Sequence, residues 1–122
     1  MKHTTLIGLA VLGLLASAVL ADAQSVSPNV KLSGGEQEII IEAGEGYNPV
    51  KTLAKADLPT TIRIKTAGTL DCSLALAIPA LGFRKTLPIS GETMVNVPPQ
   101  RSGSKLQGIC SMAMYSFEVT FQ

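Results

Sequence analysis

The sequence predicts a small all-β sandwich. Short runs rich in β-branched and aromatic residues recur at close spacing, Gly and Pro turn signals separate them, and no helical stripe of useful length interrupts the pattern. The chain has 122 residues, so after removal of a leader it is sized for one domain with a modest core.

Residues 1–23 read as a signal peptide. Lys2 and His3 give a positive start, an uncharged apolar run extends from Leu6 to Leu20, and Ala21-Asp22-Ala23 has the small-x-small form of a cleavage site before Gln24. The run is short for a membrane span, which needs about 20 residues. Cleavage is therefore expected, with no stable membrane insertion afterwards; a retained anchor is the rival reading. Residues 24–35 hold Ser, Pro, Asn and a Gly-Gly pair and are expected to form a flexible lead-in. The domain proper is then 36–122.

Within it, strands are expected in order at 37–42, 60–66, 72–78, 93–97, 105–110 and 115–121, with weaker candidates at 50–53 and 83–87. Turn signals fall at Gly44-Glu45-Gly46, Asn48-Pro49, Ala67-Gly68, Ser90-Gly91, Pro98-Pro99 and Ser102-Gly103. Alternation assigns faces. Ile62 and Ile64 share one face while Arg63 and Lys65 take the other. Tyr115, Phe117, Val119 and Phe121 point in; Ser116, Glu118 and Thr120 point out. Cys72 shares the inward parity of Leu74, Leu76 and Ile78, and Cys110 that of Leu106 and Gly108. Cys72 opens its run and Cys110 closes its own. If these strands are antiparallel neighbours, or face each other across the sandwich, the two thiols arrive at the same end of the domain.

Composition excludes several functions. Ten Lys and Arg against nine Asp and Glu give a net charge of +1, which loss of Lys2 and Asp22 with the leader leaves unchanged. With no basic run and no tryptophan, the chain is not expected to bind nucleic acid. The one histidine, His3, lies in the leader. Ser73 and Ser111 thus lack a base for hydrolase chemistry. A blue-copper electron carrier would need two imidazoles beside its cysteine. Glu36, Glu38 and Glu42 read as exposed strand residues, and no enzymatic activity is expected.

What remains is sulfur. Cys110-Ser111-Met112-Ala113-Met114 sets a thiol and two thioethers at alternate positions, a soft donor set that selects Cu(I). Two cysteines in an exported chain also fit a structural disulfide, worth about 3–4 kcal/mol. A bridge does not explain why two of the three methionines beyond the leader lie within four residues of Cys110. Met94 reads as core filling, Asp71 as a turn or strand-start residue, and Tyr47 and Tyr115 as core aromatics.

Gly46-Tyr47-Asn48-Pro49, Leu70-Asp71-Cys72-Ser73-Leu74, Ile78-Pro79-Ala80-Leu81-Gly82-Phe83, Thr86-Leu87-Pro88 and Cys110-Ser111-Met112-Ala113-Met114-Tyr115 occur in this order. In that respect the chain resembles the small exported cupredoxin-like domains that end in Cys-x-Met-x-Met. These include bacterial copper-resistance proteins and chaperones, and domains fused to copper-transporting ATPases. The resemblance implies a Greek-key β-sandwich and Cu(I) ligation by Cys72, Cys110 and Met112, with Met114 assisting. One ion is expected, with two bridged by the thiolates as the alternative. It further implies a monomer in the periplasm, receiving copper from or passing it to a partner such as a copper-transporting ATPase. The role would be buffering, delivery or resistance; the alternative is a disulfide-linked interaction module without metal. Ser111 stands where a glycine is common, and Leu106 and Gly108 replace aromatics, which should thin the packing behind the site.

Overall fold

A computed structural model describes residues 25–122, together with Gly8, Ala10 and Gly13. The expected leader, 1–23, otherwise lies outside the described residues. Among those described, no helix is long and apolar enough to cross a membrane.

The chain is all-β. The strands are β1 (Val30–Ser33), β2 (Glu36–Ala43), β3 (Tyr47–Asn48), β4 (Lys51–Ala54), β5 (Thr60–Thr66), β6 (Ala75–Ile78), β7 (Phe83–Thr86), β8 (Gly91–Val97), β9 (Lys105–Cys110) and β10 (Ser116–Phe121). One sheet has the order β1-β2-β5-β8, with β3 added to β2; the other runs β4-β10-β9-β6-β7. Pairing is antiparallel except between β2 and β5 and between β10 and β4.

Period-2 alternation builds the core between the sheets. Ile39, Ile41, Ile62, Ile64, Val95 and Val97 come from the first sheet. Leu76, Ile78, Leu106, Phe117, Val119 and Phe121 come from the second. Burying such side chains is worth roughly 1.5–3 kcal/mol each and is the main force holding the sheets together. The inward parity expected for 60–66 and for the last strand is observed, with Tyr115 only half-buried just before β10 begins.

Four expectations are corrected. Residues 24–35 are not merely a lead-in, because Val30–Ser33 pairs with β2 from Val30↔Ile39 to Ser33↔Glu36. Gly34 and Gly35, at φ 57° and 81°, supply the left-handed pair that a tight hairpin needs. The run 72–78 is not one strand: Cys72–Leu74 forms a 3-10 turn and β6 begins at Ala75. Met94 does not fill the core. It is 49% exposed on the outer face of β8, beside inward Thr93 and Val95.

The fourth concerns the packing behind Cys110. Gly108 lies opposite Phe117 in the β9–β10 register. The Phe117 ring occupies the space a side chain at 108 would take, and its Cε1 and Cζ would clash with an added Cβ. An aromatic ring from the neighbouring strand therefore fills the gap, and the Tyr47 ring packs edge-on against it, centroids 5.2 Å apart. Gly108→Ala is expected to destabilise the fold by about 2–3 kcal/mol through overpacking. Urea unfolding should show this, with partial recovery when Phe117→Leu is added; an unchanged midpoint for the single variant would contradict it.

Candidate metal centre

Antiparallel pairing of β6 with β9 sets Leu76 opposite Cys110. The turn holding Cys72 directly precedes β6, so the chain delivers Cys72 to the end of β9. The two Sγ atoms lie 3.2 Å apart, as free thiols. Cys110 is 2% exposed, whereas Cys72 is partly open to solvent. The meeting expected from sequence is thus observed, but Cys72 arrives on a turn and not by strand parity.

Asp71 shapes that turn. It caps Cys72–Leu74, and its Oδ1 accepts from both the backbone N–H and the hydroxyl of Ser73. Its Oδ2 accepts from the Glu45 N–H at 2.7 Å. The Ser73 Oγ in turn accepts from the Gly46 N–H at 3.1 Å, and the Ser73 carbonyl accepts from the Tyr47 hydroxyl at 2.9 Å. The loop between β2 and β3 is therefore fastened to the cysteine turn from the opposite sheet. Hydrogen bonds from Ser73 and Glu45 hold the Asp71 carboxyl below its usual range. Burial pushes the Tyr47 phenol far above its usual value, helped by the nearby Cys110, Cys72 and Asp71, so it stays a neutral donor.

The loop after β9 closes over Cys110. The Cys110 N–H donates to the Tyr115 carbonyl at 3.0 Å, and its carbonyl accepts from the Ala113 N–H at 2.9 Å. Closure forces Ala113 to φ 55°, a left-handed conformation that costs an alanine roughly 1–2 kcal/mol. The extended parity expected for 110, 112 and 114 is accordingly broken. In return the Tyr115 N–H reaches the Cys110 sulfur at 3.4 Å.

The two thiols differ electrostatically. Burial raises the Cys110 thiol, but the hydrogen bond from Cys72 and the N–H groups of Tyr115, Met112 and Met114 outweigh it and bring the thiol below its usual value. Cys72 is raised, first by its hydrogen bond to Cys110 and then by burial and the charges of Cys110 and Asp71.

Met112 and Met114 stand in the closing loop, 69% and 64% exposed. Among the described residues, no three side chains drawn from His, Cys, Asp and Glu converge. A metal on the thiol pair would have to draw further side-chain donors from thioethers, a set that suits a soft monovalent ion and offers little to hard ones. Sequence reading considered Ser73 only as a nucleophile. Its place between Asp71 and the β2–β3 loop was signalled by the Asp-x-Ser spacing of a side-chain-capped turn.

No protein-family model matches the chain, and no curated protein matches it. Among solved structures the chain is similar to the metal-binding domain of the Cu(I)-exporting P-type ATPase CopA of Streptococcus pneumoniae D39, solved with Cu(I). The TM-score is 0.68 at 24% identity, over 76% of this chain and 92% of that one. A copper-binding protein solved in solution in its apo form is similar to the same degree, with a TM-score of 0.68 and 24% identity over 76% of this chain and 94% of that one. At this identity the likeness establishes a shared fold.

Two substitutions test the turn. Tyr47→Phe leaves the buried Ser73 carbonyl without its donor and should cost about 1–3 kcal/mol in urea unfolding. Asp71→Asn should destabilise the fold at neutral pH. Because the folded-state pKa of Asp71 is depressed, its contribution is present above the unfolded carboxylate value of ~3.9 and is lost as pH falls through the folded value. The gap between wild type and variant should therefore close below about pH 4; a gap constant down to pH 2 would contradict the assignment.

Proposed function

We propose that this chain is an exported, cupredoxin-like Greek-key domain that carries Cu(I) on sulfur, for buffering, delivery or resistance, and catalyses no reaction. The observation that supports this most is the contact between two free thiols, 3.2 Å apart, under a loop that presents two exposed thioethers. Fold likeness to two domains named for copper agrees with it. In this reading Cys72, Cys110 and Met112 hold the ion and Met114 assists. One ion is bound, or two if both thiolates bridge. The domain works as a monomer in the periplasm and exchanges copper with a sulfur-rich partner such as a copper-transporting ATPase.

The residues fit that task. Cys110 is buried and supported by backbone donors, so it keeps its place as an anchor. Met112 and Met114 are in solvent, where an incoming donor can displace them one at a time. Thiolates bind with release of protons, so affinity should fall as pH drops, while thioethers are not protonated. The same thiol contact also supports a second reading, a disulfide-linked interaction module without metal. The thiol count of protein purified without reductant separates the two.

Anaerobic titration of reduced protein with Cu(I), against a chromophoric chelator, tests the proposal. Cys72→Ser and Cys110→Ser should each abolish tight binding. Combined Met112→Ala and Met114→Ala should weaken it, with Met114→Ala alone doing less. Failure of the wild type to compete with the chelator would remove the copper reading, and equal losses from all four single substitutions would overturn the ranking.

A further inference from the structure

We propose that a hollow on the outer face of the second sheet docks an acidic segment of the protein with which this chain exchanges copper. The docking surface stands on its own geometry; the identity of the partner rests on the copper reading above.

The hollow follows from residue size and register. On this face β6 presents only Ala75 and Ala77, opposite Thr86 and Arg84 of β7. Two alanines between longer neighbours leave a shallow depression of about 350 Å³, lined by Ala75, Leu76, Ala77, Arg84, Lys85, Thr86 and Ser111. No acidic residue lines it. Arg84 is exposed on this face of β7, the edge strand of the sheet, while Lys85, opposite Leu76, has the other parity and is exposed at that same edge. The ion pairs among the described residues use Arg63, Lys65 and Lys105, so neither of these two cations is neutralised by the chain itself. The site therefore combines an apolar floor with one uncompensated cation beside it, Arg84, and a second, Lys85, at the sheet edge that forms its rim. An acidic segment bearing an apolar residue satisfies both, through charge-assisted hydrogen bonds to the rim and burial on the alanine floor.

Its position gives the docking a purpose. The Ser111 N–H donates to the Ala75 carbonyl at 2.9 Å, which ties the edge of the hollow to the residue following Cys110. A segment seated there abuts the loop of Met112 and Met114 and brings its protein's own sulfur donors to the exposed side of the site. Complementary charge of this kind orients the encounter and raises its rate more than it adds affinity. The larger hollow of about 600 Å³ beside Glu42, Asn48, Lys65 and Glu92 lacks this selectivity. Its lysine already faces Glu92 at 4.0 Å, and its lining carries both signs.

The test uses reduced, isotope-labelled protein and three probes: a short peptide alternating Glu with Leu, its counterpart with Lys in place of Glu, and sodium phosphate. The acidic peptide should shift the amide resonances of Ala75, Ala77, Arg84 and Ser111. Arg84→Glu combined with Lys85→Glu should weaken that binding by about tenfold or more without changing Cu(I) affinity in chelator competition. The proposal is overturned if those amides do not move, if the basic peptide binds equally, if the double variant binds as tightly, or if phosphate alone gives the same shifts. Peptide binding by a protein that fails the Cu(I) titration would uphold the docking surface and overturn the copper reading alone.

Discussion

Pairing of β6 with β9 is the constraint on which the rest of the molecule's business end depends. A short antiparallel contact, Leu76 opposite Cys110 and Ala77 opposite Ile109, fixes where two distant stretches of chain meet. It brings Cys72 and Cys110, 38 residues apart, to a sulfur–sulfur distance of 3.2 Å. The same pairing places Ala75 and Ala77 beside the loop that follows Cys110, and the bond from Ser111 to Ala75 extends it by one step. A slip of one residue would turn Cys110 to solvent and send Ile109 inward, undoing the core and the thiol pair together.

Around this pairing the domain is rigid on one side and open on the other. Behind the thiols, Phe117 fills the space left by Gly108, Tyr47 packs against Phe117, and the Tyr47 hydroxyl fastens the Cys72 turn. Asp71 and Ser73 join that turn to the β2–β3 loop, so both sheets help to position Cys72. In front, the thioethers of Met112 and Met114 face water. For the copper-carrying role proposed above, this division would set a fixed anchor, Cys110, beside exchangeable donors. The loop's one strained residue, Ala113, is where closure over Cys110 costs conformational energy.

Much of this was legible in the sequence wherever a strong period-2 pattern coincided with burial. The boundaries of β5 and β9 and the inward faces of β5, β9 and β10 follow from apolar alternation alone. A meeting of the cysteines at one end of the domain was expected if their strands were antiparallel neighbours, as β6 and β9 are, but Cys72 itself arrives on the turn before β6. Legibility failed where local hydrogen bonding overrode the pattern. Residues 72–74 alternate like a strand, yet Asp71 captures the Ser73 N–H and winds them into a turn. Met112 and Met114 keep strand parity with Cys110, yet the Ala113 N–H bends back to the Cys110 carbonyl. The strand at Val30 was hidden because its Gly-Gly pair reads equally as loose linker or tight hairpin. Filling of the Gly108 gap could not be read at all without the cross-strand register that sets Phe117 opposite it.

Copper K-edge X-ray absorption on the anaerobically loaded protein asks whether sulfur alone holds the metal in the proposed site. The proposed site should give a first coordination sphere fitted by sulfur scatterers only, with an edge characteristic of Cu(I) in a low-coordinate environment. Loss of one sulfur on replacing Met112 and Met114 by alanine would assign a thioether to that sphere. A sphere containing nitrogen or oxygen donors in the wild type, unchanged in that variant, would rule out a site built from sulfur alone.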